Sequence, residues 1–172
     1  MKILKPQGLN SQDYFTQYIE LSENEGLIDV LENSKEHLLE ELLDISNEDS
    51  NYRYAKGKWT IKQVVQHIND TERILSYRAL RFGRNDDTPL LGFEEDTFAQ
   101  NDHSDQIDLS IVLEEFAMVR SSTIMLFKTL DPQFLDHKVL CNGHALSPRM
   151  LGFVMNGHGL HHLNVIRERY LS

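Results

Sequence analysis

Thr60-Ile61-Lys62-Gln63-Val64-Val65-Gln66-His67-Ile68-Asn69-Asp70-Thr71-Glu72-Arg73-Ile74-Leu75 begins a long segment in which apolar residues return every three or four positions. Ile61, Val64, Ile68, Leu75, Ala79 and Phe82 fall on one face of a 3.6-residue helix. Thr60 and Gln63 have the spacing of a capping box, in which each side chain satisfies a backbone N–H at the helix start. Gly83 is placed to stop the helix. One strongly amphipathic helix of this length needs partners of its own kind to bury its stripe.

Three such partners are legible on either side. Leu27, Leu31, Ser34, Leu38 and Leu42 mark a helix over about 25–43, preceded by a shorter one over 11–21. Leu109, Val112, Leu113, Phe116, Val119, Thr123 and Phe127 mark another from Asp108, its predicted cap, to Leu130, where Asp131-Pro132 ends it. Ser147-Pro148 supplies an N-cap and a first-turn proline for a last helix running to about Tyr170. Residues 84–106 contain Pro89, Gly92 and many acids and read as a long crossing connection, with a short helical turn near 94–99. Residues 136–146 are irregular, with a possible hairpin at Asn142-Gly143. β-Branched runs are too short and too rarely alternating for a sheet. The expected architecture is all-α: a four-helix bundle with one long crossing connection, in a single domain spanning 1–172.

Composition removes several function classes. With 40% hydrophobic and 26% charged residues in 172, the chain is neither disordered nor membrane-spanning in character. No apolar stretch approaches a bilayer span, and the N-terminus lacks a signal-peptide pattern, so a cytoplasmic protein is expected. A formal charge of −10 argues against nucleic acid as a partner. Cys141 is the sole cysteine, which excludes an internal disulfide and a thiolate cluster; in a predicted loop it reads as a spectator thiol.

The chemistry-bearing residues are histidines. His158 and His162, spaced i and i+4, lie one turn apart on one helix face, among Leu151, Val154 and Val165, whereas Leu163 and Arg167 point elsewhere. His67 sits at the edge of the stripe on its own helix, beside Thr71 and Ile74, and can face the bundle axis. Three imidazoles from two helices make a site for a divalent metal with positions left open for water or substrate. The bland reading is that each ring only hydrogen-bonds a carbonyl or carboxylate. His161 is a rival ligand at the margin of the same face; His37, His103, His137 and His144 have no ligand spacing.

Around these, Asp70 is either a general base for activated water or a solvated carboxylate. Glu72 points into the apolar stripe, and a buried pairing with an arginine is the simpler account. Arg78 and Arg169 repeat the ligand face further along their helices. Each is a candidate anchor for an anionic substrate, with a structural ion pair as the simpler role.

Tyr52 to His67, with Lys58-Trp59-Thr60 at its centre, followed by Asp70-Thr71-Glu72-Arg73, resembles the DinB-like family. So do Ala79 to Phe82, Pro89 to Phe93, Asn142-Gly143-His144 and the terminal Gly157-His158-Gly159-Leu160-His161-His162. The resemblance covers nearly the whole chain. It implies an up-up-down-down bundle with a divalent metal held by His67, His158 and His162. It also implies homodimers through helix faces, and relatives that are thiol-cofactor transferases (bacillithiol- and mycothiol-dependent) or metal-dependent hydrolases. Nothing in this acidic sequence supports a DNA-polymerase activity.

Two functions of different class follow. In the first, a metal-dependent enzyme activates a low-molecular-weight thiol for S-transfer, or water for hydrolysis, on a small-molecule substrate. In the second, a non-catalytic metal-binding stress-response protein presents an interaction surface. Zinc or nickel suits three neutral nitrogens without a thiolate, with iron and manganese also open.

Overall fold

The computed structural model describes residues 2–171. Its helices are α1 (Thr16–Leu21), α2 (Leu27–Leu42), α3 (Ile61–Phe82), α4 (Glu95–Asn101), α5 (Leu109–Thr129) and α6 (Pro148–Arg169). Two short antiparallel strands, β1 (Val139–Cys141) and β2 (His144–Leu146), complete the regular structure. The four long helices are present within a few residues of their anticipated ends. The short first helix begins only at Thr16, after a turn in place of the expected start at 11, and every stripe residue named above for α2, α3 and α5 is buried.

The bundle is formed by α2, α3, α5 and α6. At one end Leu27 and Leu31 of α2 and Leu151 and Val154 of α6 meet Leu75, Ala79 and Phe82 of α3 and Ile124 and Phe127 of α5. At the other end Leu38 and Leu42 of α2 and Leu163 and Ile166 of α6 meet Ile61, Val64 and Ile68 of α3 and Val112 and Phe116 of α5. So α2 and α6 run one way and α3 and α5 the other. Each helix packs on two neighbours, in the ring order α6, α2, α5, α3. Round that ring the directions are up, up, down, down; along the chain they are up, down, down, up. Because α3 and α5 are parallel, the segment joining them must return the length of the bundle, which is why residues 83–108 are long and carry α4.

Local chemistry secures the ends. Thr60 and Gln63 form the capping box, with Gln63 N–H to Thr60 Oγ1 at 3.1 Å and Thr60 N–H to Gln63 Oε1 at 3.2 Å. Ser147 Oγ accepts from Met150 N–H at the start of α6. Asn142 and Gly143 form the two-residue hairpin turn, both with positive φ (48° and 81°).

Gly83 ends α3 as expected, with φ −71°; a Cβ there would lie 2.5 Å from Leu130, so closeness and not a left-handed backbone is the constraint. Three expectations need correction. Asp108 occupies the N-cap of α5, but its side chain accepts from Asn47 Nδ2, and Asn47 Oδ1 takes the Leu109 N–H at 2.8 Å instead. Cys141 lies in β1, not in a loop, and is buried. On α6 Leu163 is fully buried and Val165 only partly so, because α1, α2 and α3 pack on three sides of the helix and leave no single inward stripe.

Candidate metal centre

His67 comes from the second turn of α3, and His158 and His162 from successive turns of α6. Because α3 and α6 are antiparallel neighbours, the rings converge from opposite walls. His158 Nε2 lies 3.1 Å from both His67 Nε2 and His162 Nε2. One ring nitrogen from each of the three lies within 4.8 Å of the others. Neutral imidazoles carry one donor and one acceptor each, so three nitrogens meeting this closely cannot all satisfy one another. Nitrogens bound tetrahedrally at about 2.0–2.1 Å stand roughly 3.4 Å apart. The trio fits a shared divalent cation with small adjustments.

The surroundings keep the rings neutral. His67 and His158 are buried and His162 half-buried. Burial lowers the pKa of His67 to about 4 and that of His162 to about 3, the latter helped by His67 and His161. His158 is driven well below its ordinary value, first by burial, then by the neighbouring histidines and Arg120. Lone pairs are therefore available at neutral pH without competition from protons.

The walls come from elements far apart in sequence. Trp59, immediately before the cap of α3, packs its ring 5.0 Å from that of His67. The Trp59 carbonyl is in turn fixed by Tyr170 Oη at 2.7 Å. Tyr18 of α1 sits edge-on to His158 and His161, at 5.6 Å from each. It can do so because α1 crosses α6 at Gly157, where a Cβ would fall 1.7 Å from the Tyr18 carbonyl oxygen. Nothing in the spacing around Tyr18 pointed to the site; the flat Gly157-x-Gly159 surface was the available hint.

Beneath the trio, Arg120 of α5 makes a two-pronged ion pair with Glu72 at 2.8–2.9 Å, both under 3% exposed. Arg120 also donates to Ser34 Oγ and to the Met155 carbonyl. Glu72 thus has the buried arginine partner that its place in the stripe implied. The arginine itself, on the facing helix, was not singled out by the pattern.

Asp70 is half-buried and lines a small cavity beside His67, about 10 Å³ and large enough for one water. Its carboxylate accepts from Gln66 Nε2 at 3.1 Å, and burial raises its pKa above the ordinary range. Arg169 is exposed near the end of α6 and takes no part in the site. His161 is exposed, its ring packed on Tyr18 and His162. His137 pairs with Asp87, His37 with Glu41, and His144 packs on Phe15; His103 lies on the rim of an open cavity shared with Asp70.

Arg78 departs from its simpler expected role. It is 5% exposed, yet no carboxylate lies within ion-pair distance among the described residues. Together with His158 and Tyr18 it lines a cavity of about 250 Å³.

The family model of the DinB superfamily matches residues 31–166. The chain belongs to the DinB superfamily. That match includes the whole histidine trio. Among its relatives is a protein of Oceanobacillus iheyensis whose name proposes a metal-dependent hydrolase, 25% identical over 126 residues and covering 71% of each chain. Among solved structures, YfiT from Bacillus subtilis superposes with a TM-score of 0.72 at 21% identity, covering 95% of this chain and 90% of that one. It is described as a probable metal-dependent hydrolase with an unusual four-helix bundle topology. This DinB-superfamily chain shares that bundle topology. No helix of the described residues is long and apolar enough to cross a membrane.

Proposed function

We propose that the protein is a metal-dependent hydrolase acting on a small molecule, with His67, His158 and His162 as the metal ligands. The convergence of three uncharged imidazole nitrogens within 4.8 Å carries this reading. The names of the Oceanobacillus and Bacillus relatives agree with it. A divalent ion held by these three histidines, zinc or nickel by ligand chemistry, would supply Lewis acidity that lowers the pKa of a water toward neutral.

The chain's own residues do the rest. Asp70, raised above the usual carboxylate range and bordering the water-sized cavity beside His67, takes up the proton released from water. Tyr18 and Trp59 cover the rings and exclude bulk solvent. The Glu72–Arg120 pair braces α3 against α5 directly under the site. The same three nitrogens would serve a low-molecular-weight thiol equally well, with transfer of sulfur to an electrophile in place of hydrolysis.

The test is metal analysis of purified protein followed by turnover assays. About one divalent ion per chain is expected, lost in His67→Ala and His158→Ala. Metal-dependent hydrolysis from an ester and amide panel is expected, falling at least 100-fold in Asp70→Asn. Turnover only with an added thiol and electrophile would move the protein to the transferase reading. Full metal loading with no turnover of either kind would favour the non-catalytic binding protein.

A further inference from the structure

The cavity beside the histidine trio has a second pole. Its wall includes Thr71, Leu75 and Arg78 of α3, Val154 and His158 of α6, Tyr18 of α1, and Phe93 from the crossing connection. Arg78 is 95% removed from solvent (5% exposed), and its only hydrogen bond among the described residues runs from Nη2 to the Leu91 carbonyl at 2.9 Å. Its guanidinium lies 6.0 Å from the Phe93 ring centre. A guanidinium has five N–H donors and is always charged. A buried one without a carboxylate is costly unless something anionic reaches it.

Thr71 gives an independent indication. Its side chain lines the same cavity, and its hydroxyl is buried with no hydrogen-bond partner among the described residues. Buried polar groups left unmatched in a folded protein are commonly those a ligand completes. His67, Thr71 and Arg78 follow one another along one face of α3. Arg78 stands three turns, about 16 Å of axial rise, beyond His67. The cavity that contains Arg78 and Thr71 reaches His158, so a molecule held at Arg78 can place its other end beside that imidazole.

We infer that this cavity binds a small monocarboxylate with an apolar or aromatic body, its carboxylate on the Arg78 fork and the Thr71 hydroxyl, its reactive end at the histidines. The inference rests on the hydrolase reading for what happens at that end, but not for the binding itself. The fork of an arginine matches the two oxygens of a carboxylate. Tyr14, Phe15, Tyr18 and Phe93 supply aromatic wall, and about 250 Å³ admits a small molecule, below the size usual for drug-like ligands. Glu94 and Glu95 lie on the same wall and are exposed, so the rim disfavours a second negative charge and hence a phosphate dianion.

Calorimetric titration with 3-phenylpropionate, 3-phenylpropionamide and phenyl phosphate tests this, on metal-loaded and metal-free protein. The carboxylate is expected to bind at least 10-fold more tightly than the amide or the phosphate in both forms. Arg78→Gln is expected to erase that preference while retaining its metal, and Thr71→Val to weaken the carboxylate about 3-fold. Equal binding of carboxylate and amide, tighter binding of the phosphate, or an unchanged preference in Arg78→Gln overturns the inference. So does loss of carboxylate binding on metal removal, which would put the anion on the ion instead. If Arg78→Gln does not fold, the three-ligand comparison on the native chain and Thr71→Val decide. An Arg78-dependent preference in a protein without turnover leaves this inference standing and removes the hydrolase reading.

Discussion

Gly157 shows how much one absent methyl group decides. The α1 backbone rests on it, with the Tyr18 carbonyl where an alanine Cβ would stand. Backbone cannot yield as a side-chain tip can, so Gly157→Ala must lift α1 from α6. The expected cost is about 1–3 kcal/mol, as for other overpacked sites. Thermal unfolding should show it, and proteolysis should become faster within residues 9–24. The histidines belong to α3 and α6, so metal stoichiometry should be retained. Cys141 illustrates the opposite case: buried in β1, its thiol pKa is raised by burial despite the opposing charge of Arg78, and it is chemically quiet.

Between elements, Glu72 and Arg120 are the central connection. Arg120 reaches α3 through Glu72, α2 through Ser34 and α6 through the Met155 carbonyl, so all four long helices meet at one guanidinium. Removing one partner leaves the other charge buried. Arg120→Met is expected to destabilise by about 3–5 kcal/mol in urea unfolding, and adding Glu72→Leu should recover most of that loss. Additive losses in the double variant would show that the two charges are not coupled. Rim pairs such as Lys128–Glu32 are solvated at both ends and contribute little by comparison.

For the whole molecule, the neutral histidines make stability depend on pH in a definite direction. In the unfolded chain each ring takes up a proton below about pH 6.5, whereas folded His67 does so only near 4 and His162 near 3. Below pH 6.5 the unfolded state therefore binds more protons, and stability falls as pH falls. For metal-free protein the expected loss between pH 7 and 5 is about 1–2 kcal/mol per ring, read from denaturant midpoints. His67→Asn should flatten that slope by one ring's share. A profile level from pH 7 to 5 in the native chain would mean that the rings are not held neutral.

The helices, the apolar faces of α2, α3 and α5, the Thr60 and Ser147 caps and the Asn142-Gly143 turn were legible along the chain, because each rests on contacts within a few residues. The face of α6 was not, because three helices pack around it. The buried partner of Glu72 was legible as a need, since a carboxylate in an apolar stripe must be matched, but not as Arg120. The i, i+4 spacing of His158 and His162 and the place of His67 on its helix single out the three rings, with His161 as the rival. Only the packed structure decided that those three meet, that α1 covers them through Gly157, that Asn47 and not Asp108 caps α5, and that Arg78 has no carboxylate within ion-pair distance among the described residues. Those outcomes depend on the order and direction of helices around the bundle. Residues tens of positions apart are made neighbours by that order, and no local spacing records it.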